Sequence, residues 1–193
     1  AIPTGPSLFH PAGLAVDRNG VVVVAETGNH RLTRASSRGA GPGLQPGQPA
    51  QHLGRRGRGP GEFEAPQDVA VSGGGERIYV ADTGNRRVQV LSAAGASLAI
   101  WPDVGLPRGI AIGPALGPGG AVEPDARVYV SDAAGRRVRV FSLDGVWLAD
   151  WDAGGTLLLP LGLAVNADGD LAVADAGAQR LVWLDADASE GPS

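Results

Sequence analysis

The chain has 193 residues, with 31 Gly, 15 Pro, no Cys, no Met and no Lys, so all sixteen basic residues are Arg. Without Cys there is no disulfide framework, no thiolate metal site and no cysteine nucleophile. A content of 43% hydrophobic against 19% charged residues is too apolar for a disordered chain, and a net charge of −4 does not point to a general nucleic-acid binder. No apolar run reaches the roughly 18 residues that span a bilayer, so membrane insertion is not expected. The missing initiator Met reads as a processed chain or a piece of a longer one.

Taken in order, the predicted elements are short strands that recur as four copies of one pattern. The first copy runs Phe9-His10-Pro11-Ala12-Gly13-Leu14-Ala15-Val16-Asp17, a turn at Arg18-Asn19-Gly20, then Val21 to Val24, Ala25-Glu26-Thr27-Gly28-Asn29-His30-Arg31 and Leu32-Thr33-Arg34. The second opens at Phe63 and continues through Pro66 to Val71, then Ile78-Tyr79-Val80-Ala81-Asp82-Thr83-Gly84-Asn85-Arg86-Arg87-Val88-Gln89-Val90. The third opens at Leu106-Pro107-Arg108-Gly109 and resumes at Val128 to Val140; the fourth opens at Leu159-Pro160-Leu161-Gly162 and resumes at Leu171 to Trp183. The anchoring prolines, Pro11, Pro66, Pro107 and Pro160, stand 55, 41 and 53 residues apart. Short fourth strands are expected near Gln51-His52-Leu53, over Ser97 to Trp101 and over Val146 to Trp151, but none after the fourth copy.

The run Pro-x-Gly-hydrophobic-Ala-Val-Asp followed by Tyr-Val-Ala-Asp-Thr-Gly-Asn-x-Arg-Val-x-Val resembles the NHL repeat, a family of β-propeller blades, and Ile78 to Val90 carries the likeness best. Gly57-Arg58-Gly59-Pro60-Gly61-Glu62-Phe63 is similar to that family's linker into the next blade. The resemblance implies an all-β propeller in a single domain, 1–193, with blades at roughly 9–53, 63–101, 106–151 and 159–184. NHL propellers generally have six blades, so the four copies are expected either to close a ring of their own or to form an arc completed by further blades or a partner. Propellers host many unrelated activities, so the fold does not name a function.

The same resemblance places the linker into each inner strand and the turn between second and third strands at one end, the top. His30, Arg55, Arg56, Arg58, Arg86, Arg108 and Arg136 fall there, and Arg55-Arg56-Gly57-Arg58 is the densest basic run. Arg recognises phosphates and carboxylates bidentately, so these residues are the candidates for an anion or partner site. Asp17, Glu123, Asp125, Asp144, Asp168 and Asp170 fall at the opposite end. An acid paired with an Arg five residues later recurs in every copy: Glu26 with Arg31, Asp82 with Arg87, Asp132 with Arg137, Asp175 with Arg180. Repetition in every blade argues that these pairs brace the turn they span. Asp68 stands where the other copies have Gly13, Gly109 and Gly162, and with Arg108 it is the candidate pair at the channel mouth.

No metal and no cofactor are expected. The three histidines, His10, His30 and His52, all lie in or beside the first copy, whereas an axial zinc needs ligands converging from several blades. Two Gly- and Pro-rich insertions, Arg38 to Ala50 and Gly113 to Asp125, read as surface loops. The tryptophans, Trp101, Trp147, Trp151 and Trp183, read as core between blades. The reading that follows leans away from an enzyme. It is a non-catalytic protein–protein interaction scaffold, a subunit or domain of a larger assembly, with a protein or further blades as partner. RNA or anion binding through the Arg-rich end is the alternative, and a lyase- or lactonase-type fragment with an axial metal is the second. The compartment is left open.

Overall fold

The structure is a computed structural model that describes residues 7–36, 50–116 and 122–184, the side chains of 114–116 and 122–125 excepted. It is all-β, with short antiparallel strands grouped into four blade-type sheets. The chain divides into two compact units, Ala1–Pro102 and Asp103–Ser193, each containing two blades. No helix among the described residues is long and apolar enough to cross a membrane.

In the first unit, β1 (Pro11–Val16), β2 (Val21–Glu26), β3 (Arg31–Ser36) and β4 (Gln51–Leu53) pair in sequence order to make the first blade. A short parallel pair, β5 (Arg55–Arg56) with β6 (Glu62–Phe63), follows. The second blade is β7 (Asp68–Val71), β8 (Arg77–Asp82), β9 (Arg87–Ser92) and β10 (Ser97–Trp101), again in sequence order. These strands are rich in Val, Ile and Tyr, which fit a pleated, half-buried surface. Val23, Ala25, Leu32 and Leu53 of the first blade pack with Phe63, Val69, Ile78, Val80 and Leu91 to form the core of this unit. Fully burying Leu32, Phe63 or Leu91 is worth roughly 1.5–3 kcal/mol each.

The second unit repeats the plan. Its first sheet is β11 (Pro107–Leu116), β12 (Val122–Asp132), β13 (Arg137–Ser142) and β14 (Trp147–Trp151). The other is β15 (Pro160–Val165), β16 (Leu171–Asp175) and β17 (Arg180–Leu184), with three strands among the described residues. Tyr129, Val138, Val140, Leu157, Leu171 and Val173 form the core.

Two sequence expectations are corrected here. The segment Gly113 to Asp125, expected as a loop, largely continues the β11–β12 hairpin, with Ala115 opposite Glu123 and Leu116 opposite Val122. Extending the ladder gives backbone N–H and C=O groups partners that a loop would have to find elsewhere. Of the tryptophans, Trp101 is buried and stacks at a tilt on Tyr79, and Trp151 lies against Tyr129, but Trp147 and Trp183 are exposed. The other insertion, Arg38 to Ala50, lies outside the described residues except for Ala50.

Candidate functional site

All four acid–Arg pairs form, and each is the centre of a clasp at one end of its blade. The acid closes the second strand and the Arg opens the third, and the two sit directly opposite in the ladder. That register carries the guanidinium Nε to the carboxylate, at 2.9 Å for Arg31–Glu26, 2.7 Å for Arg87–Asp82, 3.2 Å for Arg137–Asp132 and 3.7 Å for Arg180–Asp175. All four carboxylates are buried. Each also accepts a backbone N–H from the linker that enters the inner strand, from Phe9 (3.3 Å), Glu64 (2.8 Å), Leu106 (2.9 Å) and Leu159 (2.8 Å). The turn answers with an N–H to a linker carbonyl, Thr27 to His10, Gly84 to Glu64, Ala133 to Leu106 and Ala176 to Leu159. The sequence pointed to the brace but not to the linker it holds.

The clasp tunes its acids. Burial pushes the Glu26 carboxyl up, but hydrogen bonds from Arg31, Thr33, Asn29 and the Phe9 N–H outweigh it, so the group is lowered from an ordinary 4.5 to about 2. The Thr33 hydroxyl that donates to Glu26 also lies 2.9 Å from Nδ1 of His52. Burial likewise pushes Asp175 up, and the N–H groups of Leu159 and Leu158 bring it below the usual carboxylate range. Position seven after the acid differs between blades, and each side chain there does something local. In the second blade Gln89 donates to Asp82 and to the Glu62 carbonyl and accepts from Gly61. In the third, Arg139 reaches Asp150 and the Asp103 carbonyl.

The basic candidates in the first unit separate into two groups. Arg55 pairs with Glu62 at 2.8 Å and Arg56 with Glu64 at 3.1 Å. The parallel β5–β6 pairing makes Arg55 and Glu62 direct neighbours. The densest basic run is therefore a pair of surface ion pairs, not an uncompensated cationic patch. His30 accepts the Ala65 N–H at Nδ1 (2.9 Å) and lies 3.7 Å from Glu64. Arg58 and Arg86 are exposed and make no side-chain ion pair among the described residues, although the Arg58 carbonyl accepts from Arg87. In the second unit Arg136 is likewise exposed. His30, Arg86, Arg136 and Gln179 occupy one repeat position, each with φ between 52° and 55°. A left-handed non-Gly residue is uncommon and often marks a functional site, but recurrence in every blade marks this one as part of the turn.

Asp68 and Arg108 belong to different units. The Asp68 carboxylate accepts the N–H of Val69 at 2.9 Å. It also occupies the space that a Cβ on Gly13 would need, so the first blade's Gly and the second blade's Asp are mutually fitted. Among the described residues, the Nε of Arg108 is buried without a hydrogen-bond partner. Asp17, placed by the sequence at the end opposite the arginines, is buried and closes the β1–β2 turn by accepting from the N–H groups of Asn19 and Val21. Ser131, missed in the sequence, stands where the other blades have Ala25, Ala81 and Ala174. Its hydroxyl accepts the Gly109 N–H and donates to the Leu161 carbonyl, both at 2.7 Å, tying the two inner strands of its unit together.

An open depression of about 480 Å³ lies beside Arg55 and Glu62, lined mostly by Gly54, Pro60, Gly61, Gly95, Ala96 and Ser97. It offers one ion pair and backbone, with no constellation for acid–base or nucleophilic work. Among the described residues no three metal-ligating side chains converge. What the described surface does carry is large apolar side chains on ordered strands: Leu14 and Val16 on β1, Trp147 and Leu148 on β14, Leu181 and Trp183 on β17.

The NHL repeat model matches residues 10–34, 63–91 and 157–184. The third blade falls outside the match; it is the blade with the lengthened β11–β12 hairpin and with Ala133-Ala134-Gly135 in place of Thr-Gly-Asn. No curated protein gives a significant match. Among solved structures, the chain is similar to one in a nidogen/laminin complex, with a TM-score of 0.68 and 25% identity over 91% of this chain and 60% of that one. It is similar to a virginiamycin B lyase from Staphylococcus aureus with quinupristin, at 0.65 and 12% over 97% and 58%. The structure of U3-55K is a further likeness, at 0.63 and 15% over 94% and 53%. The chain thus spans less than two thirds of the length of these propellers.

Proposed function

We propose that this NHL-repeat protein is a non-catalytic protein–protein interaction scaffold that works within a larger assembly. The observation that carries this reading is where chemistry and apolar surface fall. The recurring acids and arginines are tied into clasps that hold linker to turn, whereas Leu14, Val16, Trp147, Leu181 and Trp183 project from rigid strands into the open. Exposed apolar groups on ordered strands are contact surface, and aromatic anchors are the residues that interfaces favour. The likeness to a chain from a nidogen/laminin complex supports the reading, and so does the partial coverage of whole propellers. The test is retention of a distinct protein by the immobilised chain, with loss of that protein in a Trp147→Ser form. A stoichiometric metal that survives purification and supports turnover overturns the reading.

One observation favours a second reading, an anion or nucleic-acid site at Arg58 and Arg86, because both guanidinium groups are exposed and make no close ion pair among the described residues. Binding of single-stranded RNA that falls steeply with added salt, and falls further in Arg58→Ala, would establish it. Two cations without stacking aromatics beside them make a weak RNA platform, so the scaffold reading is preferred.

A further inference from the structure

We propose that Asn19, followed by Gly20 in the β1–β2 turn, is a deamidation site, and that its conversion to a carboxylate forces open the turn built on Asp17. The chemistry is local to residues 17–21 and independent of any partner. Four turns of the molecule share one design: Asp17 to Val21, Ser92 to Ala96, Ser142 to Val146 and Asn166 to Asp170. In each, the N–H of the first residue donates to the carbonyl of the fifth, and the N–H of the fourth, a Gly, donates to the carbonyl of the first. The side-chain oxygen of the first residue accepts the N–H of the fifth, at 2.9 Å from Val21, 3.1 Å from Ala96 and Val146, and 2.8 Å from Asp170. The fourth residue has a φ between 77° and 88°, which glycine adopts at no steric cost.

Charge is divided between the first and third positions of these turns. Asp144 and Asp168 hold the third position where the first is the neutral Ser142 or Asn166. Asp17 puts a carboxylate in the first, and there the third is the neutral Asn19. Its backbone N–H and its Nδ2 both donate to Asp17, at 2.8 Å and 3.4 Å. Asp17 is buried, and its carboxylate fills the space that a Cβ on Gly75 of the second blade would need. Burial pushes the nearby Arg34 guanidinium down and the Asp17 charge pulls it back up. A carboxylate at position 19 therefore replaces a donor with a like charge beside a buried acid, in a turn that meets the second blade.

Asn19 is exposed, and Gly20 has no Cβ to hinder attack on its neighbour. The Gly20 backbone nitrogen gives its proton to water and bonds to Cγ of Asn19. The Cγ–Nδ2 bond breaks, and Nδ2 takes up a proton and leaves as ammonia. A cyclic imide remains, and water adds to one of its two carbonyls. Opening at one leaves an ordinary aspartate at position 19. Opening at the other leaves an isoaspartyl link, in which the main chain runs through the side-chain carbonyl and gains a methylene. Water is consumed and ammonia released, with no oxidant or reductant. In the closed turn the Gly20 N–H is held by the Asp17 carbonyl at 3.0 Å, so the nucleophile is free only when the turn opens. The other three Asn are guarded. Asn29 and Asn85 donate their amides to Glu26 and Asp82, at 2.6 Å and 2.9 Å, and Asn166 accepts the N–H groups of Asp168 and Asp170. Each is also followed by a residue with a Cβ: His30, Arg86 or Ala167.

The test has two arms, both on the intact chain. In the first, the chain is aged at mildly alkaline pH and mapped by mass spectrometry of its fragments. Asn19 is expected to convert first, to a mixture of aspartyl and isoaspartyl forms, while Asn29, Asn85 and Asn166 keep their amides. It is expected to convert faster once urea has unfolded the chain. Conversion of another Asn ahead of Asn19, or equal rates at Asn19 in the folded and unfolded chain, overturns the proposal. In the second arm, Asn19→Asp supplies the aspartyl product directly. It is expected to lower the urea midpoint of the natural chain at neutral pH. In an Asp17→Asn background, which copies the Asn166 turn, the same substitution is expected to leave the midpoint unchanged. No drop in the natural chain, or an equal drop in both backgrounds, overturns the proposal. Circular dichroism checks that each form folds. Should Asp17→Asn fail to fold, Asp17→Ser, which copies the Ser92 and Ser142 turns, takes its place with the same expected outcomes.

Discussion

Blades two and four contain the same five-residue spacing from acid to Arg, yet they build clasps of different depth. In blade two, Arg87 has a side chain only 10% exposed, lies 2.7 Å from Asp82, and donates to the carbonyls of Arg58, Gly59 and Glu62. In blade four, Arg180 is 45% exposed, lies 3.7 Å from Asp175, and among the described residues otherwise reaches the Thr156 carbonyl and hydroxyl. The difference comes from the linker. Arg58 to Glu62 folds over the blade-two turn and supplies carbonyls that enclose the guanidinium, and Gln89 fills the remaining gap against Asp82. Blade four has Val182 at the position of Gln89 and a linker that, among the described residues, meets its Arg at Thr156. Spacing fixes that a pair forms; burial and further partners fix what it contributes.

The sharpest way to break this comparison is to remove the acids. Asp82→Ala leaves Arg87 buried without its counter-charge, a loss of about 3–5 kcal/mol. Asp175→Ala leaves Arg180 able to reach water and chiefly orphans the Leu158 and Leu159 N–H groups, a loss of about 1–3 kcal/mol. Urea unfolding of the two variants decides between them, and equal losses would show that depth does not matter. The next effect is a pH dependence in blade one. Glu26 is held at about 2 in the folded chain against an ordinary 4.5, so its contribution is fully present above about 4.5 and is lost as pH falls toward 2. The stability gap between the natural chain and Glu26→Gln is therefore expected to narrow across that window. A gap that stays constant from neutral pH to pH 2 would mean that the charge on Glu26 is not what the clasp uses.

How much of this was readable in advance depends on how far apart the partners lie in sequence. The strands, the fourth strands at Gln51–Leu53, Ser97–Trp101 and Trp147–Trp151, and the acid–Arg braces follow from periodicity and a fixed spacing. The linker bonds do not, because the N–H that each acid accepts lies at a different distance along the chain, 17 residues away for Phe9 and 26 for Leu106. The ion pairs of the Arg55-Arg56 run are hidden in the sequence for a related reason. Its carboxylates, Glu62 and Glu64, come seven and eight residues later, and only the parallel β5–β6 pairing returns them. The two exposed tryptophans were misplaced because strand position alone does not say which face has a neighbour. The register does, once Trp183 is seen to share a face with Ala172 and not with Val173.

Smaller substitutions sharpen the comparison further. Ser131→Ala converts the third blade to the residue that the other blades carry, and it removes the link from Gly109 to Leu161 between the inner strands. Both backbone groups lose a partner in a buried place, so a loss of about 1–2 kcal/mol is expected in urea unfolding. A change near zero would show that the inner strands are held by packing of Tyr129, Val138 and Leu171 without the hydroxyl.

The smallest effect is expected at Arg180. A half-exposed guanidinium 3.7 Å from its acid behaves as a surface ion pair, worth roughly 0–1 kcal/mol and weakened by salt. Arg180→Ala leaves Asp175 with the N–H groups of Leu158, shared between its two oxygens, and of Leu159, so the carboxylate is not orphaned. Arg87→Ala, in contrast, leaves the carbonyls of Arg58, Gly59 and Glu62 without their donor, and about 3 kcal/mol is expected to go with it. Measured side by side at low and high salt, Arg180→Ala is expected to show a small loss that salt erases, and Arg87→Ala a large one that salt leaves standing. If salt erases both, the enclosure of Arg87 by its linker contributes nothing beyond an ordinary surface pair, and the two blades differ in appearance only.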